Sequence, residues 1–156
     1  MKAADVKEVL GDLKQKTGAS ATLILAVDGR ILEEVGDVEG IEKATLAALL
    51  GHGMAAFYEL SHISKGESGQ RVFFSYQDLF YQVICTSISS DHFLTAIFDL
   101  QLAPAPPIGT IWFYTKRACE RLLNLLGLET PSDERRRKEE LMEQLWEEVD
   151  DIFPDR

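Results

Sequence analysis

Cysteine and histidine are scarce in this chain of 156 residues, and no motif gathers them. Cys85 and Cys119 stand far apart, so no CxxC pair supports a zinc site or a dithiol redox centre. His52 and His62 lie on one predicted helix and His92 begins a predicted strand, so all three lack metal-site spacing. A P-loop, a dinucleotide-binding glycine turn, an HExxH motif and a nucleophile elbow are also missing. The sequence therefore predicts no catalytic residue, no cofactor and no metal site.

Basic residues and long apolar runs are scarce as well. Sixteen Lys and Arg face 26 Asp and Glu, a net charge of −10, which argues against nucleic acid as a partner because phosphate binding needs a basic surface. No apolar run approaches the roughly 20 residues that cross a bilayer, and the opening MKAADVKEVL lacks a signal-peptide core. We therefore expect a cytoplasmic protein without membrane insertion, its two thiols reduced and buried.

What is present is a regular succession of helix and strand patterns, which predicts an α+β fold. An amphipathic helix leads to two strands, a long helix, three strands and a further helix that Gly127 ends. Hairpin connections indicate an antiparallel sheet with the helices on its faces. The expected strands are ATLILAV, RILEEV, QRVFFSY, LFYQVICTSI and HFLTAIFDL.

Asp28-Gly29 lies between the first two strand-like runs and is a strong hairpin signal. We expect a type I′ turn, in which both central residues have positive φ. The alternative, Asp28 as a lone catalytic acid, has no partner in the sequence.

The long helix, expected over residues 40–63, contains KATLAALLGHGMAAFYE, which has no charged residue between Lys43 and Glu59. A surface helix normally carries charge on its solvent face. One stripe is bulky and is expected to fill the core; it consists of Leu46, Leu49, Leu50, Gly53, Met54, Phe57 and Leu60. The opposite side is mostly small and is predicted to pack against a second copy of the same helix; it consists of Ala44, Ala48, Gly51, Ala55, Tyr58 and His62. The alternative is that the tail of the same chain covers this side.

The C-terminal part is a second anomaly. Residues 1–127 have a net charge of −4 and are expected to form one domain, whereas residues 128–156 have a net charge of −6. A linker over residues 128–134 is expected to precede an amphipathic helix over 135–153. Thr130-Pro131-Ser132-Asp133 is the expected helix opening, with Thr at the N-cap and Pro at N1. Its acidic polar face disfavours a membrane surface. We predict capture by a partner groove through Leu141, Leu145, Trp146 and Val149; packing on its own domain is the alternative.

The order ATLILAVDGRILEEVG, KATLAALLGHGMAAF, QRVFFSY, LFYQVICTSIS, HFLTAIFDL and IGTIWFYTKRACERLL resembles the roadblock (dynein light chain) family over residues 4–127. The resemblance implies a five-stranded antiparallel sheet with the long helix on one face and two helices on the other. It also implies a homodimer made by the long helix and an edge strand. The Asp28-Gly29 turn is tighter than is usual in the family, so contacts made by that loop are expected to differ.

An additional C-terminal amphipathic helix is similar to a bacterial group of the family whose dimers bind a small Ras-like GTPase and accelerate GTP hydrolysis. That resemblance implies a partner-binding role for the tail helix and, weakly, for Lys116, Arg117 and Arg121. The expected function is therefore a homodimeric GTPase regulator without an arginine finger of its own, rather than an enzyme. The alternative is a dimeric scaffold that leaves nucleotide turnover unchanged.

Overall fold

The structure, a computed structural model, describes residues 3–64, 71–128 and 131–152. Gln70, the first residue of the expected strand QRVFFSY, and residue 153, the expected end of the C-terminal helix, lie outside these ranges. Within them the chain forms four helices and five strands, an α+β fold as the sequence predicted. They are α1 (Ala3–Thr17), β1 (Ala21–Ala26), β2 (Ile31–Gly36), α2 (Lys43–Ile63), β3 (Phe73–Gln77), β4 (Tyr81–Ser87), β5 (His92–Asp99), α3 (Ile108–Leu126) and α4 (Pro131–Ile152).

The five strands form one antiparallel sheet in the order β2-β1-β5-β4-β3. β1, β4 and β5 lie inside the sheet and are almost wholly buried, because helices cover both of its faces. β2 and β3 are the edge strands, and more of their residues are exposed. The two edges of the sheet are therefore more exposed than its centre.

Alternation along β1 divides the core into two layers. Leu23 and Leu25 point to the face covered by α2, whereas Ile24 points to the face covered by α1 and α3. On the α2 side, Leu50 and Met54 pack against the sheet. On the other side the buried residues of the two helices pack together over the sheet; they are Val6, Val9, Leu10 and Leu13 of α1 with Ala118, Cys119, Leu122 and Leu123 of α3. This arrangement confirms the predicted sandwich.

The first hairpin forms at Asp28-Gly29, but the predicted type I′ turn is wrong. Gly29 has φ 93°, whereas no non-glycine residue in the described ranges has positive φ. The N–H of Gly29 donates to the carbonyl of Ala26 at 2.9 Å, and the N–H of Ala26 donates to the carbonyl of Arg30 at 2.9 Å. These bonds fit a type I turn followed by a left-handed glycine, the usual three-residue loop. The Asp28 side chain accepts bonds from the N–H and Nε of Arg30, which lower its pKa.

α3 ends where the sequence predicted, because Gly127 adopts a left-handed conformation (φ 64°) and its N–H donates to the carbonyl of Leu123. The next helix begins at Pro131, where the sequence predicted the helix opening, and so lies partly within the segment 128–134 that was expected to be a linker. Proline is favoured in the first turn of a helix because the N–H that it lacks would have no partner there. The connection between α3 and α4 is therefore only four residues long.

Candidate interaction surfaces

One side of α2 carries large apolar side chains that the described part of the chain leaves largely exposed. Leu49 is 63% exposed, Leu60 52% and Ile63 80%. Phe57 is 43% exposed, and its ring lies 4.9 Å from the ring of Phe74 on β3. An exposed apolar strip of this kind indicates a protein contact rather than a solvated helix face.

The strip continues onto the edge of the sheet. β3 is an edge strand, and its outer backbone groups have no neighbouring strand in the described sheet. Gly53 lies beneath Phe74, whose ring is 3.6 Å from the position of an added Cβ, so α2 and β3 meet closely here. We call this continuous region the α2–β3 surface; it consists of Leu49, Gly53, Phe57, Leu60 and Ile63 with Phe74 and the edge of β3.

The prediction that the bulky stripe of α2 fills the core is therefore only partly correct. Leu50 and Met54 are buried, but Leu49, Phe57 and Leu60 are largely exposed. The helix is rotated relative to the prediction because its small residues let it approach the first hairpin. A Cβ on Gly51 would lie 2.5 Å from the carbonyl oxygen of Val27. Gly51 is thus covered by its own chain.

The other residues of the predicted dimer interface lie along the same flank of α2. Ala48 sits beside Gly29, since a Cβ added to Gly29 would lie 3.1 Å from the Cα of Ala48. Tyr58 is half-buried and makes an edge contact with the ring of His62, 5.0 Å between centroids. Ala44, Ala48, Ala55 and His62 are all exposed. The chain's own hairpin accounts for part of the small-residue side, and the role of the other members stays a prediction.

The polar chemistry of the described residues does not converge on one point. No group of three or more His, Cys, Asp or Glu side chains there is arranged to hold a metal ion. His92 contacts the hydroxyl of Ser89 through Nδ1 at 3.1 Å and closes the turn between β4 and β5. Burial raises the pKa of Cys85 and of Cys119 to about 12, so both thiols stay protonated at neutral pH.

α4 presents a second apolar strip. Leu141 is 50% exposed, Leu145 47% and Trp146 55%, whereas Val149 is half-buried. These four side chains are the predicted partner-binding residues, and helical spacing brings them to one side of α4. Acidic residues occupy much of the remaining surface. The helix thus has the form of an amphipathic ligand for an apolar groove. In the described ranges, no helix combines the length and apolar character that crossing a membrane requires.

The face opposite α2 is basic and aromatic. A shallow cleft between α1 and α3 is lined by Lys16, Tyr114, Arg117 and Arg121, with Asp12 at one side. Arg121 lies 3.4 Å from the Asp12 carboxylate, and Lys16 lies 3.2 Å from it. Arg117 stacks over the ring of Phe113 at 5.5 Å, and Phe113 is 53% exposed. The family resemblance implies only a weak role for this face, because the face forms where two helices distant in the chain come together.

This architecture, a five-stranded antiparallel sheet with one long helix on one face and two on the other, is the roadblock fold. The chain is similar in structure to a Roadblock/LC7 domain from Streptomyces avermitilis, with 13% identity over 76% of this chain and 95% of that one, and a TM-score of 0.58.

The similarity extends to the MglB proteins. The gliding protein MglB from Thermus thermophilus matches with a TM-score of 0.61 and 21% identity, over 78% of this chain and 87% of that one. MglB from Myxococcus xanthus matches with a TM-score of 0.64 and 16% identity, over 81% and 90% of the two chains. No protein-family model matches the chain, and no curated protein matches its sequence. The comparisons thus establish the fold.

Proposed function

We propose that the protein is a homodimeric regulator of a small Ras-like GTPase, and that its two copies meet through the α2–β3 surface. The observation that carries the proposal is the large apolar area on α2 that no part of the described chain covers. A two-fold contact would bury the strip of each copy against the other and would bring the open β3 edges together. The roadblock fold and its similarity to MglB support the same arrangement.

Two single-charge variants of α2 distinguish this interface from the one predicted on the small-residue flank. Leu60→Glu places a carboxylate in the α2–β3 surface, whereas Ala55→Lys places a charge on the opposite, exposed flank. Both sites are exposed, so both variants are expected to fold. We expect Leu60→Glu to be monomeric and Ala55→Lys to stay dimeric in light scattering. The reverse result would move the interface to the small-residue flank.

The regulator acts on hydrolysis without contributing a catalytic residue. A protein that orders a switch loop of a GTPase accelerates hydrolysis by positioning the GTPase's own groups. The test mixes the full-length protein with a Ras-like GTPase from the same organism and measures GTP hydrolysis and nucleotide exchange separately. Acceleration of hydrolysis supports the proposal. Binding with both rates unchanged would leave the dimeric scaffold as the function.

The apolar strip of α4 is the proposed second contact with the GTPase. Leu141, Leu145, Trp146 and Val149 would enter an apolar groove of the partner. Removal of residues 129–156 is expected to leave a folded dimer, because the described side chains of both core layers lie before residue 129. Its effect on the GTPase should differ from that of the full chain. Loss of the folded state on truncation would instead assign α4 a structural role.

A further inference from the structure

We propose that α4 folds back on the basic face of α3 in the same chain and forms an antiparallel helical hairpin. In the structure the described part of α4 does not pack along α3, and Leu141 and Leu145 of its apolar strip are about half-exposed. The hairpin would cover that strip in the absence of any partner. It needs no GTPase, so its test is independent of the proposed function.

The length of the connection favours contact within one chain. α3 ends at Leu126 and α4 begins at Pro131. Connections of two to five residues are typical of two antiparallel helices that pack side by side. Gly127 already turns the chain out of α3 through its left-handed conformation. A helix on such a short connection reaches its own α3 before it reaches the α3 of another copy.

An antiparallel hairpin with equal rise in both helices sets the register. α3 ends at residue 126 and α4 begins at residue 131, so these two positions face each other in the hairpin. Each step back along α3 then pairs with one step forward along α4, and the two residue numbers of a facing pair add up to about 257. Phe113 falls between Leu141 and Leu145 in this register. All three are about half-exposed in the structure, at 53%, 50% and 47%. Docking would bury one aromatic and two leucine side chains together.

The same register matches opposite charges. Arg117 falls opposite Glu140, and Lys116 lies beside the same position. In the described part of the chain no carboxylate lies within ion-pair distance of Lys116 or Arg117. Glu120, the acidic residue on this face of α3, falls opposite the basic turn at Arg137 of α4. Apolar anchoring and charge complementarity therefore agree on one register.

The test measures a distance by spin labels in the full-length protein. Thr110→Cys at the start of α3 and Glu147→Cys in α4 face each other in the hairpin, where helix axes lie about 8–10 Å apart. If α4 continues away from α3, the same positions are up to about 55 Å apart, from about 1.5 Å per residue. Cys85 and Cys119 are buried, so they do not compete for the label in the folded protein. An excess of unlabelled protein confines the measured distance to one chain.

We expect the two labels of the Thr110→Cys, Glu147→Cys protein to lie less than about 25 Å apart. At high salt the distance should become long, because the Debye length falls from about 10 Å at 0.1 M to about 3 Å at 1 M and the charge attraction between the helices is screened. Arg117→Glu or Glu140→Arg alone should open the hairpin, and the two together should close it again. Lys7→Glu is the charge-matched control, because Lys7 pairs with Glu33 of β2 away from α3, and it should leave the short distance unchanged.

Three results would overturn the proposal. A long distance in the labelled protein without further changes would show that α4 stays open. A short distance that disappears on dilution with unlabelled protein would assign α4 to another copy. A short distance that survives both single charge reversals would overturn the proposed register, because the helices would then pack without the match of Arg117 to Glu140.

Discussion

Gly51→Ala tests the contact that fixes the rotation of α2. Gly51 lies under the first hairpin, where a Cβ would be 2.5 Å from the carbonyl oxygen of Val27 and 3.3 Å from the nitrogen of Gly29. The opposing atoms belong to the backbone, so no side chain can rotate away. Gly11 in α1 is the matched control, since a Cβ there would meet no heavy atom within 4 Å.

The difference in stability between the two variants measures the cost of the steric clash at Gly51. Both replace glycine with alanine inside a helix, and both gain the helix-propensity difference of about 1 kcal/mol. Only Gly51→Ala inserts an atom into a closed contact, which typically costs about 1–3 kcal/mol. Because the hairpin backbone itself must move, we expect the upper half of that range. Gly51→Ala should therefore be about 2–3 kcal/mol less stable than Gly11→Ala.

Urea unfolding at one fixed protein concentration measures this difference, since association would make the midpoint depend on concentration. In thermal unfolding the same difference corresponds to roughly 4–12 °C for a chain of this size. Gly11→Ala should be slightly more stable than the unmodified protein, and Gly51→Ala less stable. Equal stability of the two variants would show that the hairpin does not rest on Gly51, and the assignment of the α2 faces would fail with it.

Two further predictions concern buried polar groups. Thr22→Val should lower the free energy of unfolding by about 1 kcal/mol, because the Thr22 hydroxyl donates to the buried carbonyl of Leu10 at 2.8 Å. Thr86→Val should be neutral or stabilising, because the buried Thr86 hydroxyl has no partner among the described residues. Equal losses in urea unfolding would contradict this contrast. Burial raises the pKa of Cys85 and Cys119 from 9.0 to about 12. Between these values the thiols ionise in the unfolded chain but stay protonated in the folded one. The free energy of unfolding should therefore keep its full contribution from these thiols below about pH 9 and lose it as the pH rises towards 12. The double Cys→Ala variant should lack that component of the decline, and identical pH profiles would refute it.

The sandwich could be predicted because its signals are local. Asp28-Gly29 marks the first hairpin, the three later strands are separated by polar turns, and Gly127 ends α3. The turn type could not be read in the same way. Asp-Gly suits both a type I′ turn and a type I turn with a left-handed glycine, and only the pairing of Ala26 with Arg30 distinguishes them.

The rotation of α2 could not be predicted because the helix is apolar on nearly every side. A helix with one apolar stripe reveals which side faces the core, whereas Leu49, Leu50 and Leu60 offer several equivalent choices. The choice depends on Gly51, which meets a backbone carbonyl from another element. That contact exists only after the hairpin and the helix have packed.

The apolar strip of α4 can be predicted from the sequence, whereas the basic face formed by α1 and α3 cannot. The strip on α4 follows from helical spacing within one segment, so the sequence predicts that Leu141 and Leu145 share one side of that helix. The basic face requires Lys16 of α1 to lie beside Arg117 and Arg121 of α3, a juxtaposition of residues about a hundred positions apart. Hydrophobic periodicity carries no information on such a pairing.

The proposed dimer requires a second copy of the chain to cover the α2–β3 surface. Light scattering of the purified protein at micromolar concentration tests this most directly. We expect a molar mass twice the 17.5 kDa of the chain for the unmodified protein, and 17.5 kDa for Leu60→Glu. A mass of 17.5 kDa for the unmodified protein would contradict it.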